Sequence, residues 1–380
     1  MLQSIELKNF KCIKKKHFQL RNLNVLLGLN GQGKSSFIQS LLAIRQSGNV
    51  ENISLNGDLT KLGTTKDVLY QYSKKEDLSM ILCFSNRKPF TVIYKYAIDA
   101  DYFNAKELIR ANNNDDYVIV NDDFVWNKNF QYLNAHRIEP KSMNNTSYSK
   151  VVDENNIGKH GEYTAHYIEL RGTEEVHFEN IVHPKSVIHD EVTNKNIINK
   201  TLINQINLWL GEISPGVSVR TTKVSSDFVM LEYDFKQPNL GHTNKFKPEN
   251  VGFGISYALH VITALLIAKP GQMLIIENPE SHIHPRGQAE LGRLIGLVAQ
   301  NDVQIIIETH SDHLLNGIRV AVKEGDIDKD RVIAFYFEKI VDTTEQYARI
   351  TDIEIDKNGT LSAHPKNLLD EWSNQLSKLI

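Results

Sequence analysis

The nine residues from Gly28 to Ser36 carry a pattern that is specific for phosphate binding. Gly28 and Gly33 stand five positions apart, and Lys34 and Ser35 follow directly. Glycines let backbone N–H groups approach phosphate oxygens, the lysine reaches the β- and γ-phosphates, and the serine hydroxyl ligates Mg²⁺. The pattern therefore predicts a nucleotide site, with Ser35 also a metal ligand. The predicted nucleotide contacts are Asn30, Gly31, Gln32, Gly33, Lys34, Ser35 and Ser36.

The elements on either side of this loop are those that phosphate binding requires. Leu23–Leu27 is an apolar run that predicts a buried strand. Phe37, Leu41 and Ile44 recur at helical spacing and predict a helix over Ser36–Arg45. A strand, a loop and a helix in this order present the helix N-terminus to an anion. The alternative, a chance glycine loop, would have to imitate both the pattern and its context.

Two later strands end in residues suited to the chemistry of a bound nucleotide. Met273–Ile276 is an apolar strand followed by Glu277, and an acid at this place holds Mg²⁺ in nucleotide enzymes. Ile305–Ile307 is a second such strand, and it leads to His310, which could contact the γ-phosphate or the attacking water. We therefore predict catalytic roles for Glu277 and His310, and a metal-binding role for Glu277.

The pattern of apolar residues predicts an α/β protein. Strands and helices alternate from residue 251 to residue 337, which indicates a parallel sheet with helices on both faces. The predicted helices in this region are Tyr257–Ala268, Gln288–Ala299 and His313–Lys323, and the further strands are Val303–Ile307 and Val332–Phe337. Elsewhere we predict strands at Met80–Phe84, Phe90–Ile98, Tyr117–Val120, Val217–Arg220, Phe228–Phe235 and Tyr347–Ile355, and helices at Ile197–Leu210 and Asn367–Leu379.

In the order of its motifs the chain resembles the ABC-class ATPase heads of the SMC, RecF and OLD (overcoming lysogenization defect) type. The shared order is a phosphate loop, a large insertion, a glycine turn at Gly252 and Gly254, an acidic strand and a Thr-His-Ser strand end. The run from Glu277 to Pro285 is similar to that of bacterial single-head ATPases, many of which are encoded beside a nuclease, often in anti-phage systems. The resemblance implies ATP and Mg²⁺ as ligands.

The same resemblance implies the architecture and the assembly. We expect an ABC-type head with a mostly parallel sheet covered by helices, an N-terminal antiparallel β part and an α+β insertion. The core would comprise residues 1–49 and 226–350, the insertion residues 50–225, and a C-terminal strand and helix residues 351–380. In such heads the glycine turn of one subunit caps the ATP of the other, which implies a homodimer. The implied contacts across that interface are Gly252, Gly254 and Ser256.

One departure from the family concerns the general base. Most relatives end the acidic strand in Asp-Glu, with the glutamate activating water, whereas this chain has Glu277 followed by Asn278. An amide side chain does not accept a proton from water. Either Glu280 or Glu308 would then substitute, or hydrolysis would be slow.

Two further departures concern nucleotide contacts. If Gly254 is the second signature glycine, Gly252 takes the position of the usual signature serine, and Ser256 lies about half a helical turn beyond Gly254. The glutamine that contacts Mg²⁺ in the family is left open between Gln46 and Gln71.

Composition limits the other classes of function. The chain has 380 residues and a formal net charge of −3, which is not the footprint of a protein coated in nucleic acid. Cys12 and Cys83 are its only cysteines, so neither a disulfide framework nor a zinc site is expected. No apolar run is long enough for a membrane span or for a signal-peptide core, so we expect a cytoplasmic protein.

Two other clusters could be interpreted as metal sites. Four histidines lie near the two strand ends, but no cysteine or paired acid completes a site there. Three acids alternate along a predicted strand of the tail, where an exposed strand face is the simpler interpretation. The histidines are His282, His284, His310 and His313, and the acids are Asp352, Glu354 and Asp356. The chain beyond the Thr-His-Ser run is also short for a separate nuclease domain, so we expect any effector in a partner.

Three functional hypotheses follow. The leading one is an ATP-hydrolysing, ATP-gated dimeric switch that controls a partner effector, a nuclease in particular, in bacterial anti-phage defence. The first alternative is a RecF-like ATPase that binds DNA directly; the basic run Lys14–Lys16 is better explained as a solvated hairpin. The second is a nucleotide-holding scaffold with little hydrolysis, because of Asn278.

Overall fold

A computed structural model describes residues 1–85, 87–110, 130–190, 195–237 and 241–379. The chain forms two compact units, each discontinuous in sequence. Unit 1 comprises Met1–Lys128, Val332–Ile355 and Leu361–Ile380, and unit 2 comprises Asn129–Arg331 and Asp356–Thr360. The core, insertion and tail predicted from the sequence have different bounds from these two units, and that division stays a prediction.

The helices and strands are numbered in chain order. The strands are β1 (Leu2–Phe10), β2 (Ile13–Gln19), β3 (Leu23–Leu27), β4 (Asn52–Ser54), β5 (Asp77–Phe84), β6 (Phe90–Lys95), β7 (Tyr102–Arg110), β8 (Phe130–Leu133), β9 (Met143–Asn145), β10 (Val187–Asp190), β11 (Lys195–Ile198), β12 (Val217–Lys223), β13 (Phe228–Gln237), β14 (Gly241–His242), β15 (Met273–Glu277), β16 (Gln304–Glu308), β17 (Val332–Val341) and β18 (Gln346–Ile353). The α-helices are α1 (Lys34–Ser47), α2 (Thr65–Val68), α3 (Thr164–Arg171), α4 (Leu202–Ile213), α5 (Phe253–Leu266), α6 (Pro285–Ala299), α7 (Asp312–Glu324) and α8 (Glu371–Leu376). Within the described residues, no helix combines the length and the apolar character that crossing a membrane requires.

Unit 1 contains an antiparallel sheet that starts with the N-terminal strands. Strand β1 pairs with β2 on one side and with β5 on the other, and the sheet continues through β6 and β7 to β4. Along β5, buried side chains alternate with partly exposed ones, as expected where one face of a sheet is covered. This sheet confirms the N-terminal antiparallel part of the predicted fold.

The strand and the helix that were predicted around the phosphate loop are both present in unit 1. Strand β3 is buried along its whole length and pairs in parallel with β17, which pairs antiparallel with β18. Helix α1 ends at Ser47, and the left-handed conformation of the next residue, Gly48 (φ 65°), lets its N–H bond the Arg45 carbonyl. The rings of Phe18 on β2 and Phe37 on α1 pack with their centroids 4.3 Å apart. This aromatic contact holds the helix against the strands.

Unit 2 contains a parallel sheet and the helices that follow its strands. Strand β15 pairs in parallel with β16 and with β8, and both β15 and β16 are almost wholly buried. Helices α6 and α7 approach closely because Gly317 lacks a side chain; an ideal Cβ there would lie 2.1 Å from the Ala289 carbonyl oxygen. The alternation of strands and helices predicted after residue 251 is therefore confirmed, as are the strands near residues 217–237.

The helix predicted over Ile197–Leu210 is wrong at both ends. Strand β11 takes its first residues, and α4 begins later and runs past its end. The Asn199 side chain accepts hydrogen bonds from the Thr201 N–H at 3.1 Å and the Thr201 hydroxyl at 2.8 Å. Such a side-chain turn competes with helix formation, which explains the delayed start.

Other elements also differ from the sequence-based expectation. Strand β7 was not predicted, and it pairs antiparallel with both β6 and β4. The tail helix α8 is shorter than Asn367–Leu379, because Asn367 and Leu369 have φ of 68° and 61° and turn the chain before the helix begins. The predicted strand Tyr117–Val120 lies outside the described residues.

A carboxylate on α4 gives a pH-dependent contribution to the stability of unit 2. Glu212 lies 2.5 Å from the Lys185 Nζ and 3.3 Å from the His183 Nε2, and the hydrogen bond from Lys185 is the main reason why its pKa lies below the ordinary value of 4.5. A lowered folded-state pKa stabilises above the unfolded-state value and is lost as the pH falls through the folded-state value. Glu212→Gln should therefore lower the free energy of unfolding by about 0.5–1 kcal/mol at pH 7.

Denaturant titrations of wild type and Glu212→Gln at pH 7 and below pH 4 would measure this difference. We expect the gap between the two proteins to close on the acid side of the ordinary glutamate pKa. A gap that is the same at both pH values would contradict this role for the ion pairs of Glu212.

Candidate functional site

The phosphate loop of unit 1 has the backbone conformation that its glycines predict. Gly28, Gly31 and Gly33 have φ of 131°, 74° and 107°, in the region that residues with a side chain rarely adopt. At Gly28 there is also no room for a side chain, because an ideal Cβ would lie 2.3 Å from the Phe337 carbonyl oxygen. The loop can therefore turn tightly before the N-terminus of α1, where an anion is favoured.

Lys34 lies folded into this loop. The residue is 3% exposed, and its Nζ donates hydrogen bonds to the carbonyl oxygens of Gly28 at 2.7 Å and Leu29 at 2.9 Å. Burying a cation is costly unless polar partners satisfy it. Phosphate oxygens, which are charged, would be stronger partners than neutral carbonyls. The ammonium group is therefore held where an anion in the loop would attract it.

The other predicted contacts of the loop differ in their exposure. Asn30, Gly31 and Ser35 are exposed. The side-chain oxygen of Gln32 accepts a hydrogen bond from a backbone N–H of β17, and the Ser36 Oγ lies 3.5 Å from a cysteine sulfur. Ser35 thus has an accessible hydroxyl in the first turn of α1, as a metal ligand at this position requires.

The acidic strand end lies in unit 2. The Glu277 carboxylate accepts hydrogen bonds from the Tyr132 hydroxyl at 3.0 Å and from the Ala135 N–H at 3.1 Å, one on each oxygen. Both donors belong to β8 or to the loop that follows it, and β8 pairs in parallel with β15. These two bonds orient the carboxylate and leave lone pairs on both oxygens for a hard cation.

Asn278 and Glu280 form the turn after this strand. Asn278 has φ 44°, a conformation that asparagine tolerates better than glutamate does. The Glu280 Oε1 accepts a hydrogen bond from the His310 N–H at 2.8 Å, and burial raises the pKa of this carboxyl group. Glu280 therefore links the turn after β15 to the strand end after β16, where the His310 side chain is exposed.

The same strand end carries a functional candidate that sequence reasoning missed. Arg137, on the loop after β8, donates hydrogen bonds from Nη2 to the Glu277 carbonyl at 2.7 Å and from Nη1 to the Asn278 carbonyl at 3.1 Å. Burial lowers its pKa to about 10, so the guanidinium is charged at neutral pH. No role was predicted for it from the sequence, because no pattern specifies a bond to a backbone carbonyl.

The residues at both places fit the ligands that the motifs imply. Ser35 and Glu277 offer hydroxyl and carboxylate oxygens, which are the ligands that Mg²⁺ prefers. In the described residues, the Asn278 Oδ1 and the Glu280 Oε2 are buried without a hydrogen-bond partner. Buried acceptors normally have a partner, so this strand end has unused capacity to accept hydrogen bonds.

The glycine turn before α5 differs in part from the expectation. Gly252 is the N-cap residue of α5, and Gly254 lies in the first turn, where an ideal Cβ would be 2.3 Å from the His282 carbonyl oxygen. Ser256 is 2% exposed, and its hydroxyl lies 3.3 Å from the Tyr233 hydroxyl. Because α5 starts at Phe253, Ser256 falls on the inner face of the helix. The structure therefore does not offer its hydroxyl for the predicted nucleotide contact.

Residues 23–316 match the protein family described as "AAA domain, putative AbiEii toxin, Type IV TA system". The chain belongs to this AAA family. Residues 327–379 match a second family, described as "Protein of unknown function (DUF3696)". No curated protein matches the chain. The phosphate loop, the acidic strand end and His310 all fall within the residues of the AAA match.

Solved structures of ATPase heads share the fold of this AAA family member. One is an Smc head bound to the C-winged helix domain of ScpA, which is 13% identical, has a TM-score of 0.56 and is matched over 94% of this chain and 98% of that chain. Another, derived from Pyrococcus furiosus, is an Smc head domain with an extended coiled coil bound to the C-terminal domain of ScpA; it is 13% identical, has a TM-score of 0.50 and is matched over 100% and 99%. The predicted ABC-type head fold is thereby confirmed.

The structure also describes residues on which the metal and DNA interpretations of the sequence depend. In the part of the chain that the structure describes, no group of three or more His, Cys, Asp or Glu side chains could hold a metal ion. The lysines of the basic run form ion pairs with acidic side chains of unit 1. These pairs are Lys14 with Glu345, Lys15 with Glu6 and Lys16 with Asp352.

The structure describes both glutamines between which the sequence left the Mg²⁺ contact open. The Gln46 side chain donates to the Ser54 carbonyl at 3.0 Å and accepts from the Thr60 N–H at 3.0 Å, so both ends of its amide hold a loop of unit 1. Gln71 is exposed. Neither observation assigns a contact with Mg²⁺, so the choice between Gln46 and Gln71 stays open.

Proposed function

We propose that this AAA family member is an ATP-gated dimeric switch that hydrolyses ATP and controls a separate effector protein, a nuclease in particular, in bacterial defence against phage. The observation that supports it most directly is the phosphate loop, in which three left-handed glycines surround a buried Lys34 whose Nζ bonds backbone carbonyls. The family description, which names a toxin of a toxin–antitoxin system, supports the setting in defence.

In this proposal each part of the nucleotide site has a separate role. The backbone from Asn30 to Ser36 binds the phosphates, and Lys34 neutralises their charge. Mg²⁺, held by Ser35 and Glu277, would stabilise the charge that develops on the phosphate oxygens during hydrolysis. Glu280, in the turn after β15, and His310, after the end of β16, would orient the attacking water. Gly252 and Gly254 would contact the nucleotide of a second copy through their backbone.

A slow hydrolysis step is part of the proposal. Asn278 occupies the place of the usual general base, and its amide does not accept a proton. Glu280 is the candidate replacement, because it lies in the same turn as Asn278 and burial raises the pKa of its carboxyl group, which makes it a stronger base. The alternative of a nucleotide-holding scaffold rests on the same asparagine. It differs from this proposal only in the rate of ATP hydrolysis.

The assembly is proposed by analogy with the fold. The Smc heads named above are bound to domains of ScpA, so heads of this fold do carry partner proteins. A nucleotide that joins two copies would give such a partner a contact surface that exists only while ATP is bound. The slow step just described would make that surface long-lived.

The decisive experiment measures mass and turnover together. The purified protein is examined by light scattering with Mg²⁺ and either no nucleotide, ADP, ATP or a non-hydrolysable ATP analogue, and phosphate release is followed in parallel. We expect a doubling of mass with ATP and the analogue only, together with turnover that requires Mg²⁺. Tagged protein from the native host should also retain its effector only in buffer with Mg²⁺ and the ATP analogue.

A Glu277→Gln variant is the matched control for the metal role. Its amide has a single acceptor oxygen, so it can keep only one of the two hydrogen bonds from Tyr132 and Ala135, and it has lost the charge that attracts Mg²⁺. We expect turnover at least about tenfold lower and a mass increase that survives. A constant monomer mass under all nucleotide conditions would refute the switch.

A further inference from the structure

One buried arginine joins the acidic strand end to the helix that starts at the glycine turn. Arg137 is 4% exposed. Its Nη2 and Nη1 bind the carbonyl oxygens of Glu277 and Asn278, which are successive in the chain. Two parallel donors on two successive carbonyls fix the orientation of the peptide between them, which one donor would not do. The Glu277 side chain is thereby held toward the donors from β8 and its following loop.

The other side of the guanidinium faces α5. Its Cζ lies 5.8 Å from the centroid of the Tyr257 ring, within the range of a cation–π contact. The Tyr257 ring packs edge-on against His282, with centroids 5.0 Å apart, and Phe253 packs at 6.4 Å and 6.0 Å from these two rings. Phe253 and Tyr257 belong to the first turns of α5, directly after Gly252. Arg137 thus touches both parts of unit 2 that the proposed function places at nucleotides.

Stability alone does not account for a charged residue at this place. Arg137 is almost fully buried, and taking a guanidinium out of water carries a desolvation cost. A well-packed apolar side chain of similar volume commonly stabilises a core as well as a buried charge does. In the described residues the Arg137 Nε also has no hydrogen-bond partner, so the group is not placed for maximal bonding.

We propose that Arg137 is a positioning residue that holds the Glu277–Asn278 peptide and the start of α5 together as one block. The proposal rests on the proposed function, since it assigns a metal role to Glu277 and a nucleotide contact to the glycine turn. Displacement of the turn by a nucleotide would move Tyr257, and through Arg137 it would move the peptide that sets the direction of Glu277. The two sites of unit 2 would then respond to nucleotide as a pair.

The test is an Arg137→Lys variant of the full chain. Lysine keeps the charge and the apolar stem but has a single ammonium group in place of the planar fork. We expect kcat for ATP at least about tenfold lower, because a small misplacement of a catalytic group costs this much or more. The KM for ATP should stay within about twofold, and the Mg²⁺ concentration for half-maximal turnover should rise at least about threefold.

Two controls separate positioning from folding. Arg319→Lys is the matched variant, because the Arg319 Nε also bonds a backbone carbonyl, Gly359 at 2.7 Å, in the same unit; its kcat should equal that of wild type. Tyr257→Phe keeps the ring and should also equal wild type, whereas Tyr257→Leu should lower kcat. In the double variant Arg137→Lys, Tyr257→Leu, the loss should be smaller than the product of the two single losses.

The outcomes are distinct for each failure. A folded Arg137→Lys protein with unchanged kcat and Mg²⁺ requirement overturns the positioning role, as does a lowered melting temperature with normal kcat per folded molecule. If wild type binds ATP without hydrolysing it, the same variants are compared by calorimetry. The tightening of ATP binding by Mg²⁺ should then be lost in Arg137→Lys, and its persistence overturns the role. If wild type does not bind ATP, both the positioning role of Arg137 and the proposed function are overturned, because both require ATP binding.

Discussion

Replacing Lys34 with alanine is expected to weaken ATP binding at least about 100-fold while the protein stays folded. The Nζ lies inside the phosphate loop, where it bonds the carbonyls of Gly28 and Leu29. Exchanging those neutral partners for phosphate oxygens gives stronger, charge-assisted hydrogen bonds. Losing them costs about 3 kcal/mol, and each 1.4 kcal/mol is a factor of about ten in affinity.

Ligand-induced stabilisation measures this without assuming turnover. With Mg²⁺ and ATP at about 100 times its dissociation constant, wild type should gain about 2.7 kcal/mol of stability, visible as a higher melting temperature. Lys34→Ala should show no such gain at the same concentration. Its stability without ATP should be close to that of wild type, because the substitution removes a buried charge together with its bonds.

A second lysine of unit 1 provides the matched control. The Lys11 Nζ donates to the Gln39 side chain on α1 at 2.7 Å, and burial lowers its pKa. Lys11→Ala removes a lysine that contacts the same helix but not the loop carbonyls, so its ATP-dependent gain should equal that of wild type. An equal gain in Lys34→Ala as well would remove the phosphate-binding role from this loop.

The sequence was most informative where chemistry and backbone geometry coincide. The glycines of the phosphate loop predict the left-handed turns that Gly28 and Gly33 adopt, and the buried strand and the helix that flank them follow from apolar spacing alone. The strand that ends at Glu277 was equally clear, because a short continuous apolar run that stops at an acid is typical of a buried strand that leads to a polar site.

What the sequence did not predict depends on contacts between distant residues. Arg137 donates hydrogen bonds to carbonyl oxygens about 140 positions away in the chain. Every residue has a backbone carbonyl, so no sequence pattern predicts which of them the arginine binds. The inward direction of Ser256 depends on where α5 begins, and helix ends are the least predictable part of an element. The helix start at α4 was decided by one asparagine side chain.

Gly254→Ala should destabilise unit 2 by about 2–3 kcal/mol, although alanine is the better helix former. The residue lies in the first turn of α5, and an ideal Cβ would be 2.3 Å from the His282 carbonyl oxygen and 3.1 Å from its carbon. The clash is with backbone, so no side-chain rotation can relieve it. His282 itself has φ 64°, which leaves its turn little freedom to move.

The clash should also affect the residues that we propose to act in ATP hydrolysis. The turn that carries His282 is closed by hydrogen bonds from the Ser281 N–H to the Asn278 carbonyl at 3.2 Å and from the Ile283 N–H to the Glu280 carbonyl at 3.1 Å. Pushing the His282 peptide away from α5 therefore strains the residues that follow Glu277. We expect ATP turnover in Gly254→Ala to fall together with stability, at temperatures where the protein is still folded.

Gly211→Ala is the control that makes the sign of this prediction meaningful. Gly211 also lies in a helix of unit 2, α4, but an ideal Cβ there meets no atom within 4 Å. Alanine should therefore stabilise this helix by about 0.5–1 kcal/mol through its lower backbone entropy in the unfolded chain. Denaturant titrations of both variants against wild type should give free-energy changes of opposite sign. If both variants were stabilised, the close approach of α5 to the turn after β15 could not be as tight as the structure has it.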